Sequence, residues 1–233
     1  MPTVRQDVNE YTNKFGYNAE IKAVTETIWT TGGVYAYPAA AAEMEIVSGD
    51  ALDGTGAATG ALTATVYGQD ASFNPIQTTV TLNGLTPVVM TGYNFYRVYR
   101  VIVNTAGSGG VNAGILTVRP SGGGTTYTAV AIGTNQTEQA FYTIPAGHVG
   151  IVSRIWTDVG SSLDVTATFW ARPNGGVFAQ KWRHINLGGT QEMTYGKYGP
   201  QYAAGTDLEM RGITTNAAGN VVGGGFDVLL VIV

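Results

Sequence analysis

The feature that most constrains this chain is an alternation of period two, interrupted at short intervals by turn residues. Leu62, Ala64 and Val66 alternate with Thr63, Thr65 and Tyr67. Val165, Ala167 and Phe169 alternate with Thr166, Thr168 and Trp170. Successive side chains of an extended chain point to opposite faces, so each run places its aliphatic set inward and its Thr and aromatic set outward. Further strands are expected over 78–82, 95–103, 115–119, 127–132, 140–144, 149–156, 180–187, 208–214 and 226–233. The one helical candidate, Ala39 to Met44, is too short to stand alone. It follows Pro38 and runs into Glu45-Ile46-Val47-Ser48, which reads as extended chain.

Turn chemistry separates the strands. Asn83-Gly84 and Asn174-Gly175 are hairpin signals, because a type I′ turn needs positive φ at both central residues. The glycine groups at 107–110, 122–124 and 223–225 are expected as loops. Many short strands with such turns predict an all-β fold, a β-sandwich or jelly-roll-like arrangement. The last run, from Phe226 to Val233, is apolar on both faces after Asp227. It is expected at the centre of a sheet, since an unpaired strand of this kind invites aggregation.

The chain also repeats itself. Ile46-Val47-Ser48 returns as Ile151-Val152-Ser153, and Thr63-Ala64-Thr65 as Thr166-Ala167-Thr168. Tyr37-Pro38-Ala39 has a counterpart in Ile144-Pro145-Ala146, and Val103-Asn104-Thr105-Ala106-Gly107 in Thr215-Asn216-Ala217-Ala218-Gly219. The order is kept, and the offsets drift only from about 103 to about 112 residues. Two tandem related β units are therefore expected, 19–120 and 125–233, joined by a Gly-rich junction at 121–124. Residues 1–18 carry Arg5, Asp7, Glu10 and Lys14 and no apolar core, so they do not read as a secretory signal. They are expected as a frayed terminus or as an arm that orders against a neighbour.

Composition excludes several functions. Charged residues make up 12% of the 233 positions, against roughly 25% in an ordinary domain. Glycine accounts for 33 positions, without a collagen period. No apolar run reaches the ~18 residues of a membrane-spanning helix. A net charge of −4 with no basic block argues against nucleic acid as a partner. The absence of Cys removes disulfides, thiolate zinc sites and thiol nucleophiles. What remains is a surface poor in charge, expected to be covered by other subunits.

Catalytic and metal patterns are weak. His148 and His184 have no metal-ligand spacing, so no metal and no other cofactor is expected. No G-x-S-x-G elbow presents a serine, and no catalytic residue is expected. Asp50 with Asp53, and Asp207 with Glu209, are formal carboxylate pairs for glycoside cleavage. The first pair reads better as a solvated turn than as a calcium loop, and the second as a polar strand face. The glycine run 54–60 lacks dinucleotide spacing and reads as a flexible hairpin tip. A small-molecule ligand is accordingly not expected.

Two aromatic clusters stand out. Phe95, Tyr96, Arg97, Tyr99 and Arg100 lie together, with Tyr93 just before them. Alternation would put Phe95, Arg97, Tyr99 and Val101 on one face and Tyr96, Val98 and Arg100 on the other. Neither face is cleanly polar, which suits a strand covered by its own core and by a partner. Trp182, Arg183, Tyr195 and Tyr198 form the second set. Tyr, Trp and Arg are enriched in protein interfaces, so both sets are candidate protein contacts. Stacking on a sugar is the other reading.

Gly133-Thr134-Asn135-Gln136-Thr137 followed by Tyr142-Thr143-Ile144-Pro145-Ala146-Gly147 resembles virion structural proteins of tailed bacteriophages, particularly aquatic ones. So do Asn94-Phe95-Tyr96-Arg97 leading to 112–118, and Thr206-Asp207-Leu208-Glu209-Met210-Arg211. The resemblance spans roughly residues 20–233. It implies a non-enzymatic β-sandwich component of the particle, of the capsid decoration, cement or head-fibre kind. The expected place is the capsid surface of a virion, after synthesis in the host cytoplasm. The expected partners are the major capsid protein or other virion proteins and copies of the chain itself. The alternative is a tail or fibre component that binds a host-surface glycan or receptor. A glycosidase or esterase would need convergent carboxylates or a Ser-His pair in a cleft.

Overall fold

A computed structural model describes residues 8–55, 59–160, 164–215 and 220–233. The chain begins with β1 (Val8–Ile21) and the short β2 (Glu26–Thr27). There follow β3 (Ala42–Ser48), β4 (Ala61–Gln69), β5 (Pro75–Thr81), β6 (Val88–Phe95), β7 (Arg97–Ala106), β8 (Leu116–Pro120) and β9 (Thr128–Val130). The last part holds β10 (Phe141–Thr143), β11 (His148–Val159), β12 (Val165–Arg172), β13 (Ala179–Asn186), β14 (Gly189–Thr194), β15 (Gln201–Ala203), β16 (Asp207–Thr214) and β17 (Asn220–Ile232). A single 3-10 turn, Gly196–Tyr198, is the helical element among the described residues.

The strands build two compact units. One, Tyr35–Gln139, is inserted between the two pieces of the other, which runs to Val34 and resumes at Ala140. The inserted unit is a sandwich of two antiparallel sheets, β6-β3-β8-β9 and β5-β4-β7. Met44, Ile46, Met90, Leu116 and Val118 of the first sheet meet Ala64, Val66, Val80, Val98 and Val101 of the second. In the split unit the sheets are β1-β17-β11-β14, with β15 beside β11, and β10-β16-β12-β13, with β2 beside β16. Phe169 of β12 and Phe226 of β17 meet edge to face across this core, ring centroids 5.2 Å apart.

Both units use one strand order. β6-β3-β8 corresponds to β14-β11-β17, and β5-β4-β7 to β13-β12-β16. Taken in chain order, the shared strands cross between sheets after the first, third, fourth and fifth, a jelly-roll-like path. The sequence repeats map onto this scheme. Ile46-Val47-Ser48 lies on β3 and Ile151-Val152-Ser153 on β11, while the two Thr-Ala-Thr strings lie on β4 and β12. The fourth match reaches into 216–219, outside the described residues. The all-β sandwich of two related units read from the sequence is thus the observed fold class.

The boundaries fall elsewhere than at 19–120, 121–124 and 125–233. Residues 121–124 turn within the inserted unit, where the Gly122 N–H bonds Glu45 Oε2 at 3.0 Å. β9 then lies against β8, and Val103 N–H and Asn135 O pair at 2.8 Å beside β7. The described part of 1–18 is neither frayed nor a free arm, because from Val8 onward it pairs with β17 of its own chain.

The period-two reading holds for most of the aliphatic set, but Leu62 is only half-buried, and Thr65 and Thr168, expected outward, are buried too. Ala64, Val66, Val165, Ala167 and Phe169 are all fully buried. The central placement of the last strand holds too, with β1 on one side of β17 and β11 on the other. Three glycine expectations change. Asn174-Gly175 does join a hairpin, but only Gly175 has positive φ (+73°), and Gly176 N–H bonds Pro173 O at 2.9 Å. This is a type II arrangement. Asn83-Gly84 makes no hairpin, since β5 and β6 belong to different sheets. Residues 223–225 are no loop but the middle of β17.

Candidate functional site

The first aromatic set sits at a corner of the inserted unit. Tyr96 lies between β6 and β7, and its N–H bonds Gln69 O at 2.7 Å. The alternation expected through this stretch therefore breaks at Tyr96, and a bulge opposite Tyr67 and Gly68 breaks it again. Phe95, Val98 and Val101 all point into the core, each no more than 1% exposed. Gly68 makes room for this, because a Cβ there would lie 2.5 Å from the Phe95 ring and 2.1 Å from Arg97 O.

Arg97 is also buried. Its guanidinium lies 4.0 Å from the centroid of the Tyr96 ring, 5.2 Å from that of Tyr37 and 6.0 Å from that of Phe73. It donates to Tyr96 O at 2.8 Å and to Pro38 O at 3.4 Å. An aromatic cage of this kind offsets the cost of taking a cation out of water. Tyr99 and Arg100 are half-buried on β7. Phe95 and Arg97 thus hold the corner from inside, leaving Tyr96, Tyr99 and Arg100 nearer the surface.

The second set lies on the rim of the split unit formed by β13 and β14. These strands end their respective sheets and are joined by a short turn. Asn186 fixes that turn, its Nδ2 donating to Gly189 O at 2.8 Å and its Oδ1 accepting from Gly188 N–H at 3.0 Å. All six residues of β14 are exposed. Trp182 and His184 stand on the core side of β13, opposite Phe169 and Ala167, and stack with their rings 5.8 Å apart. Arg183 stands on the outer side, opposite Thr168, and is exposed. Tyr195 follows β14, its N–H bonded to Ser153 O at 2.7 Å. Burial, with the neighbouring Tyr195, pushes the Tyr202 phenol up to about 12. Tyr198 is 84% exposed.

This rim carries apolar residues that the sequence reading passed over. Leu187 is 75% exposed, Ile185 56% and Met193 42%. Ile185 shares the outer side of β13 with Arg183, Lys181 lying in the bulge opposite Phe169 and Trp170, while Met193 on β14 pairs with buried Ile155. The signal was present in the mixed outer face of β13, where aliphatic residues succeed cations at every second position.

The titratable pairs have structural partners. Asp53 is fully buried, so the turn holding it with Asp50 is not simply solvated. Its Oδ1 accepts from the N–H groups of Ala61 and Ala113, at 2.6 and 2.8 Å. Its Oδ2 accepts from Ser48 Oγ at 2.6 Å and Gly114 N–H at 2.8 Å. A carboxylate ringed by donors organises loops and does not ligate calcium. Asp207 and Glu209 face the same side of β16 but are buried. Asp207 bonds Arg172 at 2.6 Å and the Thr143 hydroxyl at 2.6 Å. Glu209 bonds Arg211 at 2.8 Å and the Thr27 hydroxyl at 2.5 Å. Among the described residues no three His, Asp or Glu side chains gather to hold a metal. A surface hollow of about 240 Å³, lined by Ala51, Gly54, Thr55, Asn83, Gly84, Leu85 and Thr86, contains no titratable side chain.

No family model matches the chain, and no curated protein matches it. Some solved structures of viral particles show a weak likeness. A chain in the structure of infectious bursal disease virus, Gt strain, has 10% identity and a TM-score of 0.26, over 95% of this chain and 70% of that one. The Gx strain gives 12% and 0.26, over 96% and 71%. The crystal structure of the VP2 subviral particle of the same virus gives 9% and 0.20, over 96% and 72%. Superpositions this loose leave role and fold to be argued from the chain's own residues.

Proposed function

We propose that this chain is a non-enzymatic structural component of a virus particle, a decoration or cement protein that covers the capsid surface and stabilises the shell. Its partners are the major capsid protein or other virion proteins, and copies of itself. The observation that carries this reading is the β13–β14 rim. There Ile185, Leu187 and Met193 stand exposed, with Tyr198 exposed in the turn that follows β14, in a chain with only 12% charged residues. Exposed aliphatic side chains on the same strand face as Arg183 are the material of a contact core. The resemblance of several sequence strings to phage virion proteins supports the same role. The carboxylates that suggested hydrolysis are taken up in internal bonds, which favours contact over chemistry.

The test is rebinding to shells stripped of this chain. The wild-type protein should bind and raise the temperature at which the shells open. Ile185→Lys combined with Leu187→Lys should lose binding at least tenfold while melting within a few degrees of the wild type. Unchanged binding by a folded double variant would remove the rim from the proposal. Failure of the wild type to bind any shell would remove the proposal itself.

A further inference from the structure

β1 covers the outer edge of β17, the place that β9 takes on β8 in the inserted unit. Residues 135–137 then run beside β7 as β2 runs beside β16. In the inserted unit this covering strand follows its partner directly in the chain. In the split unit it comes from the other end of the sequence, with Val8 paired to Val231 and Ile21 to Asn220. We propose that β1 is an exchangeable strand, and that copies of this chain join when β1 of one copy seats on β17 of another.

The way β1 is held favours exchange. Its inward face is Thr12, Lys14, Gly16 and Asn18, opposite Val228, Phe226, Gly224 and Val222. Its aromatic residues, Tyr11, Phe15 and Tyr17, take the outward side, and Tyr11 is 59% exposed. Among the described side chains of β1, Ile21 is the large apolar one that is fully buried. The strand is therefore secured mainly by its backbone ladder and by polar bonds, such as Asn13 Nδ2 to Asp227 Oδ1 at 2.5 Å. All of these form identically within one copy or between two. Exchange then alters only the path of the connecting chain, which is why it is a low-cost route to association.

The connection suits this. Thr27 N–H bonds Gly33 O at 3.0 Å, Gly33 N–H bonds Glu26 Oε1 at 3.1 Å, and Trp29 Nε1 bonds Gly32 O at 2.8 Å. The stretch from β2 to Gly33 is thus a turn continuous with β1, and in the exchange it moves with β1 and makes its own contacts, Ile28 N–H to Met210 O and Ala140 N–H to Ile28 O with Ile28 and Trp29 buried, on the receiving copy. Val34, 56% exposed, leads out of it. The rest of the split unit begins only at Ala140, so no short connection ties β1 to the β17 of its own chain. The inference rests on strand order and strand chemistry, and stands apart from the role proposed above.

The chain has no Cys, so introduced thiols report only their own positions. Tyr11 and Leu229 are direct partners in the ladder. A copy carrying Tyr11→Cys and a size-tagged copy carrying Leu229→Cys are refolded together at high concentration and treated with a short thiol-bridging reagent. The expected result is a bridged heterodimer, several-fold above the dimer formed by either variant alone. The double variant in one chain, refolded dilute, should bridge internally. Internal bridging without any heterodimer overturns the exchange. A double variant that bridges neither within nor between chains removes the β1–β17 pairing on which exchange depends.

Discussion

Phe15 and Gly225 stand opposite each other in the β1–β17 ladder, and Trp156 of β11 flanks the same glycine on its other side. A Cβ at Gly225 would lie 2.2 Å from Lys14 O and 3.0 Å from the Phe15 Cα. The glycine lets the neighbouring backbone come that close, and the rings beside it supply the packing it lacks. Gly225→Ala should destabilise the protein by about 1–3 kcal/mol, the usual cost of forcing a group into filled space. At Gly223 the nearest atoms would be 3.8 Å away. Gly223→Ala should therefore stay within about 0.5 kcal/mol of the wild type. Urea denaturation of both variants checks the contrast, and equal losses would contradict it.

The same ladder shows what the sequence hid. β4 and β12 were legible because their aliphatic residues face inward at every second position. β1 was not, because its larger side chains, Tyr11, Phe15 and Tyr17, face outward while Lys14, Gly16 and Asn18 are covered. Residues 223–225 read as a loop because glycine is a poor strand former, yet here close packing on both sides requires it. The inserted boundary was hidden for a related reason. The repeat matched β3 with β11 and β4 with β12, but β1 and β9 lie outside it. Of the candidate contacts, Phe95 and Arg97 turned inward because the chain turns a corner at Tyr96, which no local pattern marks.

Asp53 gathers three loops through four hydrogen bonds, so its loss should be felt well beyond its own turn. Gly60 lies so near that a Cβ there would be 2.1 Å from Asp53 Oδ1. Asp53→Asn replaces one acceptor oxygen with a donor and leaves at least one buried N–H or hydroxyl unpaired. The expected loss is about 2 kcal/mol or more. Equilibrium urea unfolding measures it, and a variant as stable as the wild type would show that the loops are held by other contacts.

Glu45 links stability to pH. The Gly122 N–H, with the Arg119 guanidinium 2.7 Å away, holds its carboxyl below the usual range against the opposing effect of burial. A carboxylate with a lowered folded pKa contributes stability above the unfolded value of 4.5, and that contribution is lost as the pH falls through the folded value. Glu45→Gln should therefore be less stable than the wild type at about pH 7, with the gap narrowing as the pH falls below 4.5. A gap that stays constant across that interval would contradict the linkage.

Removal of residues 229–233 should abolish soluble expression. These positions include Leu229, Leu230 and Val231, which pair with β1 on one side and β11 on the other. Without them β1 and β11 lose the strand between them over that length, leaving unpaired apolar edges. A soluble, cooperatively folding truncation product would contradict the central role of β17.

The proposed role as a shell-covering protein is tested most directly by counting. Absolute quantification by mass spectrometry, on particles purified from cells that produce this chain, gives its copy number relative to the major shell subunit. The expected result is many copies per particle in a fixed ratio to that subunit. Only a few copies, or none, would contradict it.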